Sequence, residues 1–549
     1  MLYLVSALLT ALICAPLHGG YLIYRDAVAV PRFALTPSAF GIDGSAPRAV
    51  PQDAVLGVLS RVVDGGWLVA LLTTAALFGA GIGYGKLARR LVPSAGTSGS
   101  VAAAVVAVWN PFVAERLLQG QWSLLLGYAA LAPIVIAVAD GHRWATLAWF
   151  AVAGFTPTGS VLAIVVAAVA AFATGTRRRG AAWMALSWLV TASPWLVGAV
   201  VSSASGSSGG ASAFALRAEP GLGSVGTALG LGGIWNAEAV PASRTSAWAA
   251  VATVALMSVV VVGCVELRRA RHRTIRALAL LAGVTVLVTV LAATGPGLAV
   301  MDAALAHVPG AGLLRDTQKY LALAVPFVAV AAAAAVSRLR RSVPAGFAAG
   351  AVALLVIGPL PDLAWGVGGA IAPVRIPADY ATVVGMIDDD GTGVALWPES
   401  SVRTLTWTRG PSLSPLPRMV DAPVISGGGL IVDGRTYDAP SGRTAEIMSA
   451  VRRGDVHALA RLGIGWVISE EATPPGGLDA ADEVFHGEHL RLFRVSDASP
   501  APTPGVLAWT SAITATLLWF AALLAGPAAW IQRRVAKTAS KPSAVDDHE

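Results

Sequence analysis

The sequence predicts a polytopic α-helical membrane protein, with about twelve membrane-spanning helices and a small extracytoplasmic α/β domain before the last of them. Three observations carry this. Of the 549 residues, 55% are hydrophobic and only 13% charged, where a soluble domain carries roughly a quarter charged residues. Apolar runs near bilayer length recur along the chain. Short basic clusters stand directly beside those runs, at places that fall on one side of a membrane when the helices are counted through.

The runs lie near residues 2–22, 66–85, 100–116, 122–139, 144–156, 159–175, 181–200, 247–265, 277–295, 319–336, 344–360 and 506–530. The first lacks the basic n-region and the cleavage site of a secretory signal, and it is read as a retained helix. The pair flanking Phe155-Thr156-Pro157-Thr158-Gly159 falls short of about 20 residues and is read as half-length or re-entrant. The basic groups Lys86 with Arg89 and Arg90, Arg143, Arg177 to Arg179, Arg268 to Arg273, Arg338 to Arg341, and Arg533, Arg534 with Lys537 all fall on one side. By the positive-inside rule that side is the cytoplasm, so the chain is expected in the plasma (inner) membrane with both termini cytoplasmic.

The domain organisation follows. Residues 1–360 form a multi-helix membrane domain with outer loops at 23–64, 201–246 and 296–318, and residues 361–505 form the extracytoplasmic α/β domain. Residues 506–530 are the final span, and 531–549 a basic then acidic cytoplasmic tail. Within the α/β segment, Gly393 to Trp397 and Trp466 to Ser469 read as strands, and Ser441 to Leu462 as one helix with apolar residues near the helical period. Gly463 and Gly465 read as turn punctuation rather than a nucleotide loop. The Gly- and Ser-rich strip 202–212 reads as a flexible linker.

Several function classes are excluded. There is no P-loop, no G-x-S-x-G, no H-E-x-x-H and no dinucleotide fingerprint. The eight histidines lack ligand spacing, and both cysteines sit in apolar runs, so no metal site is assigned. The net charge of +7 follows membrane topology and implies no nucleic-acid partner.

Chemistry is expected where charges meet membrane boundaries on the outer side. In Tyr24-Arg25-Asp26, just after the first helix, a half-desolvated Asp26 would gain basicity and suit deprotonation of a hydroxyl, although an interfacial charge beside Arg25 fits the spacing too. In the loop that follows, Arg32, Asp43, Arg48 and Asp53 could line a cleft that grips a phosphate and a sugar. The stretch Trp109 to Trp122 places Glu115, Arg116 and Gln119 after the helix-breaking Pro111, at spacings that share a helical face. In Leu314 to Tyr320, Arg315 and Lys319 are four apart beside Asp316, where a lipid phosphate would lie.

With these residues in view, the chain resembles the GT-C glycosyltransferases, closest to the actinobacterial cell-envelope arabinofuranosyl- and mannosyltransferases. The likeness rests on the outer loop opening Tyr24-Arg25-Asp26-Ala27-Val28, the Asn-Pro-Phe-Val-Ala-Glu-Arg-Leu-Leu-x-Gly-x-Trp stretch ending at Trp122, and Leu-Arg-Asp-x-Gln-Lys ending at Lys319. It implies transfer of a sugar from a polyprenyl-phosphate donor to an envelope glycan or lipid acceptor, with inversion. By that resemblance Asp26 is the general base, Arg315 and Lys319 hold the lipid phosphate, and membrane lipids surround the whole. In the family two acidic residues are often adjacent in this loop, whereas Ala27 follows Asp26. That leaves a divalent metal, and catalysis itself, open. A transporter or flippase of envelope glycolipid, and a non-catalytic scaffold binding partners through the α/β domain, remain as alternatives.

Overall fold

The computed structural model describes residues 1–202, 210–269, 272–388, 390–432, 434–471, 473–478 and 481–539, with side chains described as far as residue 529. Part of the Gly- and Ser-rich strip, part of the Arg268 to Arg273 cluster, Asp389, and the tail beyond 539 lie outside the described residues. Each of the twelve apolar runs is helical. Eight helices among the described residues are long and apolar enough to cross a membrane. A ninth is added if Ala345–Ile357 and Pro361–Gly368, bent by 80° to each other, form one span.

The remaining runs fold as Leu2–Cys14 with its 3-10 extension to Leu17, Leu124–Ala139, and Arg143–Ala153, which has 11 residues. At about 1.5 Å per residue the last reaches roughly 16 Å, half the hydrocarbon thickness.

Local signals set the helix ends. Asp64 caps Gly65–Leu91 by accepting from the amides of Gly66 and Trp67, while Arg89 and Arg90 stand in the last turn, where the helix dipole favours cations. Small residues let helices approach closely. A Cβ on Gly263 would lie 2.0 Å from the carbonyl of Ala331, so Trp248–Leu267 and Val325–Leu339 pack nearly backbone to backbone. At the basic end, Arg90 pairs with Asp140 and Arg341 with Glu266, which ties the ends of four helices together.

The span read at 100–116 is broken. Gly96–Val108 stops at Trp109, and Pro111–Leu118 restarts after it. Asn110 repairs the break from both sides: its Oδ1 accepts from the Val113 amide, and its Nδ2 donates to the carbonyls of Val106 and Ala107. The Tyr128 hydroxyl also donates to Ala107. Backbone groups freed at membrane depth are thereby satisfied, which a break of this kind requires.

The α/β domain is three-layered. Its five-stranded sheet is built from β3 (Gly393–Trp397), β6 (Val424–Ile425), β9 (Ile464–Ser469), β10 (Asp482–His486) and β11 (Arg491–Arg494) in the order β10-β11-β9-β3-β6, with β3 parallel to both β6 and β9. β11 pairs antiparallel with β9 and with β10. Val394, Leu396, Trp466 and Ile468 face Tyr380, Val383 and Leu416, while Ala395 and Val467 face Ile447, Val451 and Leu459. That is the period-2 alternation of a sheet covered on both sides. The helix expected over 441–462 is two, Gly442–Arg453 and Val456–Arg461, because Gly454 turns left-handed at φ 62° and Asp455 caps the second. Gly463, at φ 75°, punctuates the entry to β9.

Three two-stranded ribbons complete the inventory. They are β1 (Ile23–Tyr24) with β2 (Ala27–Val28), β4 (Val402–Arg403) with β5 (Ser412–Leu413), and β7 (Leu430–Val432) with β8 (Arg435–Tyr437).

Candidate functional site

Asp26 occupies the two-residue turn between β1 and β2. Arg25 beside it takes φ 52°, a left-handed backbone that non-glycine residues rarely adopt, at a cost of about 1–3 kcal/mol. The strain is held from two directions. The Arg25 amide donates to the Pro411 carbonyl at 2.8 Å and its carbonyl accepts from the Leu413 amide, while the Asp26 amide donates to the Gln119 carbonyl at 3.1 Å. Gly120, at φ 79°, makes the last contact feasible: a Cβ there would sit 2.3 Å from the Ala27 nitrogen and 2.6 Å from the Tyr24 carbonyl.

From Asp26 a hydrogen-bonded chain runs inward. Gln121 Nε2 donates to Asp26 Oδ2 at 3.0 Å, and Gln121 Oε1 accepts from Arg116 Nη1 at 2.6 Å. Arg116 also pairs with Asp316 at 3.0 Å and donates to Gln318. Gln318 Nε2 in turn donates to Glu115 at 2.8 Å. The Glu115 carboxylate closes the chain on the amides of Gly233 and Ile234, at 2.9 and 3.1 Å. Neighbouring Gln119 accepts from Asn236. Four stretches far apart in sequence, at Asp26, Glu115 to Gln121, Gly233 to Asn236 and Asp316 to Gln318, thus meet in one cluster.

Arg116 and Glu115 are fully buried. A buried ion pair such as Arg116 with Asp316 needs its remaining donors and acceptors satisfied; the two glutamines supply part of this by bridging charge to charge, while Arg116 Nε and Asp316 Oδ1 make no hydrogen bond among the described residues. Glu115 and Arg116 therefore do not form a surface charge cluster. The shared-face argument for Arg315 and Lys319 also needs correcting. The chain at Thr317–Ala324 is a 3-10 helix that begins after both Arg315 and Asp316, so the α-helical spacing of four does not apply.

The other sequence candidates divide. Arg48 and Arg315 both pair with Asp438, the residue following β8, and Arg315 lies 3.7 Å above the Phe214 ring. Arg25 pairs with Glu238. Asp53 pairs with Arg418, which also reaches the Val28 carbonyl. Arg32 is exposed and lies apart from these contacts, while Asp43 accepts from Ser45 within its own loop. Lys319 is half-buried, with Asp316, Arg116, Arg315 and Asp26 around it, and it makes no hydrogen bond or ion pair among the described residues.

Burial raises the Asp26 carboxyl above the usual aspartate range. The amides of Gln121 and Gln119, and the charges of Arg48 and Arg116, pull it back in part. Among the described residues no three His, Cys, Asp or Glu side chains gather to hold a metal ion, and the polar groups acting on Asp26 are two amides and two guanidinium groups. No step below runs through a metal.

No family model matches the chain, and no curated protein matches it. A solved structure similar to it is the crystal structure of ArnT from Cupriavidus metallidurans bound to undecaprenyl phosphate. The two chains are 15% identical, the match covers 91% of this chain and 98% of that one, and the TM-score is 0.33. The functional reading below rests on the site.

Sequence reasoning passed over Gln121, Gln318, Asn236 and Asp438. The two glutamines stand inside stretches already singled out, at one residue from Trp122 and one from Lys319. Neutral amides carry no signal of their own there.

Proposed function

We propose that this protein is an integral membrane glycosyltransferase of the GT-C kind, moving a sugar from a polyprenyl-phosphate donor to an extracytoplasmic envelope glycan or lipid. One observation carries the reading: a carboxyl held at raised basicity, Asp26, and a cation free of ion pairs among the described residues, Lys319, share one cluster where the helical domain meets the α/β domain.

In this reading Asp26 takes the proton of the acceptor hydroxyl as its oxygen attacks the anomeric carbon. The bond from that carbon to the phosphate oxygen breaks, and the electron pair leaves with the polyprenyl phosphate. Lys319 balances the charge gained by the phosphate, an electrostatic role suited to a site with little water. Attack opposite the leaving group inverts the anomeric centre. Gln121 and Arg116 hold the base in place without touching the reacting atoms.

The test is transfer from labelled polyprenyl-phosphate pentoses and hexoses by the purified protein in nanodiscs. Asp26→Asn is expected to lose transfer by a factor of 10² or more, within the usual range for a general base of about 10²–10⁴. Transfer at the parental rate by that variant would remove Asp26 from the mechanism. Absence of transfer from every donor by the unaltered protein would remove the reading.

A further inference from the structure

A second cleft, of about 190 Å³, opens between the first outer loop and the α/β domain. It lies at the carboxyl ends of parallel strands: Leu396 comes from the end of β3, and Ser426 immediately follows β6. In open α/β sheets this is where ligands bind. We propose that the cleft binds a neutral saccharide, and that under the glycosyltransferase reading, on which this role rests, it is the acceptor subsite.

Its charges cancel in pairs. Asp53 is bound to Arg418 at 2.9 Å, and the buried Arg403 is bound to Glu470 at 2.6 Å. The Glu470 carboxylate is further fixed by the hydroxyls of Ser414 and Tyr380. The guanidinia of Arg403 and Arg418 that line it are already engaged by carboxylates, so a phosphate or a sulfate would have to displace Glu470 or Asp53 to reach them, in contrast to the surroundings of Lys319. What it does offer is hydroxyls. Thr36, Ser38 and Ser426 line it, and their side chains make no hydrogen bond among the described residues. Each hydroxyl donates one hydrogen bond and accepts two, which matches the ring hydroxyls of a sugar. Val28 and Leu413 supply the apolar surface that a sugar ring's face would cover.

Position links the cleft to Asp26. Val28 lines it and stands two residues beyond Asp26, which occupies the turn leading into β2, so their Cα atoms are at most about 7 Å apart. An oligosaccharide seated there would present a terminal hydroxyl toward the base. Both walls are needed, because Arg418 from the α/β domain anchors to Asp53 and to the Val28 carbonyl in the loop.

The experiment measures binding of neutral pentose and hexose di- to tetrasaccharides to the full-length protein in nanodiscs without donor, by saturation-transfer NMR, with a sulfated saccharide of equal length as control. The parent is expected to bind a neutral probe and to reject the sulfated one. Ser426→Trp and Ser38→Trp, both at the rim, should each weaken binding at least tenfold at unchanged melting temperature. Failure of every neutral probe to bind, or parental binding by both tryptophan variants, overturns the cleft. Saccharide binding without transfer from any donor would keep the cleft and discard the transferase. Transfer whose acceptor KM is untouched by Ser426→Trp would keep the transferase and discard the cleft.

Discussion

The side-chain amide of Gln121 stands 3.0 Å from the carboxylate of Asp26, 95 positions earlier in the chain, while its other end accepts from Arg116. One neutral residue therefore orients the candidate base and reports to it the state of a buried ion pair. Gln121→Leu removes the donor that holds the Asp26 carboxyl down, so the acid limb of the kcat/KM profile should move to higher pH. An unmoved limb in a pH series of initial rates would show that Gln121 does not tune Asp26.

Burial raises the Asp26 carboxyl above its unfolded value, which sets a second pH dependence. The folded chain holds this proton more tightly than the unfolded chain. The associated stability is present below the unfolded value, near 3.9, and is lost as pH rises through the raised one. Asparagine never ionises. Asp26→Asn should therefore melt no lower than the parent at pH 7, by light scattering in detergent, while its transfer is expected to fall.

Arg116 serves Gln121, Asp316 and Gln318 at once. Arg116→Ala would strand Asp316 in the interior, and breaking a buried pair in this way costs about 3–5 kcal/mol. The variant is expected to yield little folded protein on size-exclusion chromatography. Arg116→Lys keeps the charge without the planar fork, and it should fold with a lowered melting temperature.

Gly120→Ala combines a left-handed φ of 79° with a Cβ placed 2.3 Å from the Ala27 nitrogen. The backbone strain alone is worth about 1–3 kcal/mol, and the clash falls on the turn that carries Asp26. A larger loss of transfer than of melting temperature is the expected result. The same substitution at Gly79, where nothing lies within 4 Å, should be tolerated.

Lys319→Ala removes a cation without hydrogen-bonded partners among the described residues. Its melting temperature should stay close to the parent's while KM for the lipid-phosphate donor rises tenfold or more. A donor KM equal to the parent's would assign the phosphate to another group.

The apolar runs were legible in sequence because a bilayer demands long uncharged helices, and every run is indeed helical. Their exact ends were less legible: the run near 144–156 folds as Arg143–Ala153, which stops at Gly154. Asp26, Arg116 and Asp316 announced themselves as charges at boundaries. What could not be read was how they meet, because Gln121 and Gln318 bridge them without any charge signature. The partner shared by Arg48 and Arg315 was hidden for another reason: Asp438 lies in the α/β domain, where one more acid among many is unremarked.

The turn bearing Asp26 is gripped on one side by Gln119 and on the other by Pro411 and Leu413. The latter grip comes from chain that the ribosome delivers only after most of the helices have been made. A nascent protein already resident in the membrane would thus assemble Arg116, Asp316 and Gln318 before the turn is locked, and under the proposed function activity would await the arrival of the late domain. Premature termination would leave an inert product rather than an unregulated one.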